Sequence, residues 1–128
     1  MSVPVLHVCT TCRAGREPVE GQPVAGQILR DEIARALSEH PHPPVEMREV
    51  VCLSSCTRGA AAAISAPGKW TYLLGDLTPE LIPDLLAYCE SYAAAKTGTV
   101  LPSRRAETLR HFILGRVPAQ GITEEIAA

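Results

Sequence analysis

Four cysteines stand in two close pairs. Cys9 and Cys12 bracket two threonines, Cys52 and Cys56 bracket Leu-Ser-Ser, and residues 13 to 51 separate the pairs. A free thiol has a pKa of about 8.5, and a bound metal is what holds several thiolates deprotonated side by side. Four converging thiolates suit Zn²⁺ or an iron–sulfur cluster. Paired spacing in both halves makes four incidental thiols a poor account. The first cysteine closes the apolar run VPVLHV, and Cys52 follows VEMREVV. Each pair is therefore expected just past the end of a strand.

The elements that must carry these pairs are readable from pattern. Val3 to Val8 reads as a short strand, with Pro4 near its start where a missing N–H is tolerable. Residues 13 to 23 are rich in Gly and Pro and read as a loop. From Val24 to His40 the periodicity is helical, with Val24, Ile28, Ile33, Ala36 and Leu37 on or near one face. PHPP at 41–44 ends that helix. Val45 to Val51 reads as a second strand. AAAAIS at 60–65 and WTYLL at 70–74 flank a Pro-Gly turn and read as a hairpin. Thr78-Pro79-Glu80 has the chemistry of a helix start, and Leu81, Ile82, Leu85, Leu86 and Cys89 share a face up to about Ala95. Ser103 to Leu114 reads as a weaker third helix, with Leu109, Phe112 and Ile113 on its apolar side. Residues 1–118 then form one domain, and 119–128 form a frayed or loosely docked tail.

The order is β–α–β–β–β–α followed by a short helix. The β–α–β step predicts a parallel pair joined by a right-handed crossover. Parallel neighbours end at the same sheet edge, so both cysteine pairs should emerge together. The fold class is α/β, a small mixed β-sheet with helices packed on it. The element order is similar to that of a thioredoxin-like sandwich, and other small α/β sandwiches share its physics.

The composition narrows the function classes. The chain has 128 residues, ample for one core without disulfides. Five residues are aromatic and the net charge is -2, which argues against base stacking, a basic footprint for nucleic acid, or attraction to an anionic membrane. No run approaches the roughly 20 apolar residues of a membrane span. The N-terminal residues do not read as a signal peptide. A cytoplasmic setting is expected, and there cysteines serve as metal ligands or redox thiols more often than as staples.

With the two pairs placed on this order of elements, the sequence resembles the thioredoxin-like [2Fe–2S] ferredoxins. CTTCR, CLSSCTRG followed by Ala60, the hairpin ending in WTYLLGDL and the Arg-rich segment near the C-terminus resemble more closely a bacterial family of uncharacterised predicted metal-binding proteins, over roughly residues 3 to 118. The resemblance implies an electron carrier rather than an enzyme, with Cys9, Cys12, Cys52 and Cys56 as ligands of a [2Fe–2S] cluster. It implies a redox partner enzyme, a link to a cobalamin-related pathway, and the option of a homodimer that ferredoxins of this kind have. One departure is the short first spacer, only Thr10 and Thr11, which brings the pattern nearer a zinc site.

Other residues divide into candidate support and packing. Arg13, Arg16 and Arg58 lie near the thiols in sequence and would favour reduction of an anionic cluster; a solvated surface explains them equally well. Gly59 would let the backbone approach, and Thr10, Thr11, Ser54, Ser55 and Thr57 carry hydroxyls that could point at sulfur. Cys89 continues an apolar helix face and reads as a core thiol. His7 shares a strand face with Cys9 and reads as a satisfied strand histidine. His40 and His42 are expected to be exposed, and His111 has no assignable partner.

Two rivals use the same thiols. One is a zinc-bound structural or metal-handling module on all four cysteines. The other is a thiol–disulfide oxidoreductase on Cys9 and Cys12. The Gly- and Pro-rich segment after Cys12 argues against the second, because it cannot supply the helix N-terminus that such a dithiol uses.

Overall fold

The computed structural model describes residues 3–11, 20–51, 53, 60–98 and 113–119. These contain five strands and two helices. Strand β1 is Val5–Cys9, helix α1 Ala25–Glu39, β2 Glu46–Val50, β3 Ala60–Ser65, β4 Thr71–Leu77, α2 Ile82–Ala94 and β5 Ile113–Val117, with a 3₁₀ turn at Pro79–Leu81 before α2. The sheet order is β2-β1-β3-β4-β5. β1 and β2 are parallel, as the β–α–β step predicts, and every other pair is antiparallel.

Both helices contribute to one core on one side of the sheet. Leu6 and Val8 of β1, Ala62 and Ile64 of β3, and Tyr72 and Leu74 of β4 meet Leu29 and Ile33 of α1 and Leu85, Tyr88, Cys89 and Tyr92 of α2. The strand residues alternate, as a period of two requires. The helix faces differ from expectation in one place. α1 buries Gly26, Leu29 and Ile33, whereas Ile28 is 41% exposed. Leu29 leads the 29, 33, 36/37 stripe and turns Ile28 outward.

The start of α2 also differs. A single helix from Thr78 is the sequence expectation, but the first turn is 3₁₀. Pro83 has no N–H to give the Pro79 carbonyl, so Ile82 N–H bonds that carbonyl as an i→i−3 contact instead. The Thr78 side chain does not cap a backbone amide; with the Glu80 backbone, it helps hold the Glu80 carboxyl below the ordinary carboxylate range.

The largest correction is β5. Residues 113 and 114 are strand, not the end of a third helix, and the strand pairs with β4 from Thr71↔Val117 to Leu74↔Ile113. Residues 103–112 lie outside the described part. The hairpin strand β4 runs past residue 74 to Leu77, with register shifts against both neighbours and a positive φ of 54° at Asp76. This is bulge geometry, in which the extra residue bends the strand. Ala119, the first residue of the expected tail, is buried; residues 120–128 lie outside the described part.

Candidate metal centre

Cys9 is the last residue of β1. Its cross-strand partner in the parallel register is Val50, the last residue of β2. β3 runs antiparallel to β1 from Ala60, so its first residues lie at the same end of the sheet. The exits of β1 and β2 and the start of β3 therefore share one edge. Cys9 is 2% exposed and packs with Ala61 against Val50 and Leu53. This small cluster is separate from the main core, because Cys9 and Ala61 lie on the sheet face opposite Val8 and Ala62.

Polar contacts at this edge converge on two carbonyls. The Thr10 amide donates to the Val50 carbonyl at 2.9 Å, and the Thr10 hydroxyl reaches the same oxygen at 3.3 Å. The Thr11 hydroxyl donates to the Val51 carbonyl, and Cys9 Sγ lies 3.5 Å from that oxygen. Cys9 Sγ is also 3.9 Å from Thr11 Oγ1. The Thr11 hydroxyl thus reaches sulfur as the sequence suggests, and both hydroxyls also bond backbone carbonyls of the neighbouring strand exit. No sequence signal marks those carbonyls, since every residue carries one.

Of the four sequence-predicted ligands, Cys9 is within the described residues; Cys12, Cys52 and Cys56 lie outside them, as do Arg13, Arg16, Ser54, Ser55, Thr57, Arg58, Gly59 and His111. Among the described residues no three His, Cys, Asp or Glu side chains form a metal-binding group. Cys89 is fully buried in the main core, and burial, with Glu90 nearby, pushes its thiol pKa up to about 12. That agrees with its reading as a packing residue. His7 is half-buried on β1, opposite Arg48 and Ala63. His40 differs from expectation: its Nε2 is 3.2 Å from Glu90 Oε1, which ties the end of α1 to α2. His42 is exposed and donates its amide to His40 Nδ1.

Two shallow depressions, of about 700 and 520 Å³, lie at the other end of the sheet. Val3, Pro4, Ala66, Pro67 and Lys69 line the first, and Val5, Gly68, Lys69 and Ala119 the second. They surround the β3–β4 turn and the start of β1. Since β1 places Cys9 at its far end, roughly 13 Å away at 3.3 Å per residue, neither hollow belongs to the thiol edge. Among the described residues no helix is long and apolar enough to cross a membrane.

The family described as "Protein of unknown function (DUF1636)" matches residues 6–119, and the chain belongs to that family. No curated protein matches the chain. Among solved structures, a thioredoxin-like [2Fe–2S] ferredoxin from Aquifex aeolicus is similar with a TM-score of 0.59 at 12% identity, over 95% of this chain and 99% of the ferredoxin. A cysteine-to-serine variant of the thioredoxin-like [2Fe–2S] ferredoxin from the same organism gives a TM-score of 0.56 at 13% identity, over 88% of this chain and 98% of the variant. The fold is thus thioredoxin-like α/β.

Proposed function

Starting from a DUF1636 chain on the frame of a [2Fe–2S] ferredoxin, we propose that the protein is a small one-electron carrier whose cluster is held by Cys9, Cys12, Cys52 and Cys56. The carrying observation is the parallel register that sets Cys9 beside Val50. Chain length does the rest. At no more than about 3.6 Å per residue, Cys12 is tethered within about 11 Å of Cys9, and Cys52 within about 7 Å of Val50. Cys56 is tethered within about 14 Å of Ala60, which begins β3 at the same edge. These reaches are compatible with all four thiols meeting at that edge.

The donor set fits the group. Four cysteines are the usual ligands of a [2Fe–2S] centre, two on each iron. When bound, the cluster supplies one-electron redox chemistry. The chain supplies two thiol pairs, a buried Cys9 that keeps water from one sulfur, and Leu53 and Ala61 as apolar walls beside it. The electron goes to or comes from a partner enzyme, in the cobalamin-related setting that the sequence resemblance implies.

The short Thr-Thr spacer favours zinc as a second reading of the same four ligands. The dithiol reading has less support. Cys9 is a strand residue, and α1 begins only at Ala25, so no described helix N-terminus is at hand to stabilise a thiolate there.

Iron, sulfide and zinc content of anaerobically purified protein, with its visible spectrum, separates these readings. About two irons and two sulfides per chain, with a chromophore that dithionite bleaches, is the expected result. One zinc and no colour would replace the carrier with the zinc module. In the iron-loaded protein, Cys9→Ser and Cys56→Ser should each abolish or strongly alter the chromophore. An unchanged spectrum in either variant would remove that residue from the ligand set.

A further inference from the structure

We propose that Thr10 and Thr11 are positioning residues that clasp the Cys9–Cys12 loop to the chain leading into Cys52, and that this clasp sets the affinity of the four-thiol site. The inference rests on the ligand assignment proposed above, whichever metal the ligands hold.

Three donors, the Thr10 amide and the Thr10 and Thr11 hydroxyls, reach only two acceptors. The Val50 carbonyl takes the Thr10 amide and the Thr10 hydroxyl, and the Val51 carbonyl takes the Thr11 hydroxyl and faces Cys9 Sγ at 3.5 Å. A carbonyl oxygen has two lone pairs, and Thr10 alone meets both at Val50. The amide bond alone would continue the β1–β2 ladder by one residue. The two hydroxyls add links that a ladder does not need.

The link at Val51 is also not a by-product of burial. Val51 is 73% exposed, and its carbonyl could be served by water at little cost. Instead Thr11, 40 residues away in sequence, holds it. A carbonyl and the Cα of the next residue lie in one peptide plane. Holding the Val51 carbonyl therefore holds the plane through which the chain enters Cys52. Thr10 and Thr11 thereby hold the chain at residues 50 and 51 before any metal arrives. Threonine suits the task because its β-branch restricts χ1 while its hydroxyl donates.

The test compares the parent chain with Thr10→Val/Thr11→Val and with Thr10→Ser/Thr11→Ser. Valine keeps the β-branch and the shape and removes the donors. Serine keeps the donors. Each reduced, metal-free protein is titrated with Co²⁺ under anaerobic conditions, and thiolate-to-cobalt charge-transfer absorption reports binding. The valine pair should bind Co²⁺ about 10- to 100-fold more weakly, the range seen when groups orienting metal ligands are removed. The serine pair should stay within about threefold of the parent, since it retains the hydroxyl hydrogen bonds. Thermal unfolding of the three metal-free proteins should be closely similar, and amide exchange at residue 10 should quicken in the valine pair alone.

Equal Co²⁺ affinity in parent and valine pair would overturn the clasp while leaving the ligand assignment intact. An equal loss in the serine and valine pairs would overturn the role of the hydroxyls. Absence of any thiolate–cobalt absorption in the parent would overturn the four-thiol reading itself and the clasp with it.

Discussion

The two cysteines within the described residues show how position decides what a thiol does. Cys9 sits where two strands exit, beside carbonyls and hydroxyls. Cys89 sits among Tyr88, Leu85 and Tyr92 in the main core. Burial raises the Cys89 pKa from 9.0 to about 12. At pH 8 its thiolate fraction is then on the order of one in ten thousand, so a thiolate-directed alkylating reagent should modify Cys89 only after unfolding. Mass spectrometry of native and denatured samples checks this. The same shift has a consequence for stability. The folded chain keeps a proton that the unfolded chain releases above pH 9, so stability is full below pH 9 and falls as pH rises toward 12. Burial likewise raises Tyr92 from 10.0 to about 12, which adds to the loss from pH 10 upward. Denaturant midpoints at pH 8 and 10.5 should therefore differ, and by less in Cys89→Ala than in the parent. Cys89→Ala should also lose about 1–2 kcal/mol at pH 8 from the cavity it leaves, with no change in metal content.

At the scale of elements, the β3–β4 turn and the end of α2 form one clamp. Lys69 Nζ bonds the Tyr92 carbonyl at 3.1 Å and the Ala93 carbonyl at 2.8 Å, and it lies 5.4 Å from the centre of the Tyr92 ring. It thus adds a donor at the carbonyls of the last helical turn, at the negative end of the helix dipole, where the Tyr92 carbonyl also accepts the Ala95 amide at 3.2 Å. Tyr92 in turn gives its hydroxyl to the Trp70 carbonyl at 2.5 Å, and Arg116 of β5 lies over the Trp70 ring at 4.2 Å. Lys69→Met keeps the stem and removes these bonds; it should cost about 1–3 kcal/mol, read from chemical denaturation. Gly98 closes the clamp with φ +80°, and a Cβ there would come within 2.8 Å of Tyr92 and 2.9 Å of Lys69. Gly98→Ala should therefore cost about 2 kcal/mol or more, from strain and overpacking together. The hydrogen bonds of this clamp are not visible in the sequence, because they join residues more than 20 positions apart. What is visible is local: the strand leading to Cys9, the helix after the Gly/Pro loop, the Pro-Gly hairpin and the Leu-rich face of α2 all announce themselves by period and by turn chemistry, although the strand includes Cys9 rather than stopping at Val8. β5 does not. Ile113 continues a helical spacing from Leu109 and Phe112, and only pairing with β4 makes residues 113–117 a strand. The thiol edge lies between these extremes. The strand ends that carry Cys9 and Val50 are legible, but the Thr-to-carbonyl links exist only once the two strands lie side by side.

On the scale of the whole molecule, the thiol edge and the clamp stand at opposite ends of one sheet. Among the described residues, the core that joins them runs through Leu6, Val8, Ile33, Ile64, Tyr72 and Leu85 and contains no predicted metal ligand. Cys9 and Ala61 form a separate small cluster on the other face. Metal binding should accordingly add stability without creating the fold. A ligand that binds only the folded state stabilises it by about 2.7 kcal/mol at a hundred times its dissociation constant, so the loaded protein should melt at a higher temperature than the stripped one. The stripped protein should nonetheless keep its far-UV circular dichroism and a single cooperative transition, unlike small zinc domains that unfold without metal. The two ends should also act independently, because sites more than about 10 Å apart without shared partners change stability additively. Lys69→Met in combination with Cys9→Ser should lower the stability of the metal-free protein by the sum of the two single effects, and Lys69→Met alone should leave metal affinity at the parent value. Chelator-treated protein that loses its cooperative transition would show instead that the thiol edge is part of what holds the sheet together.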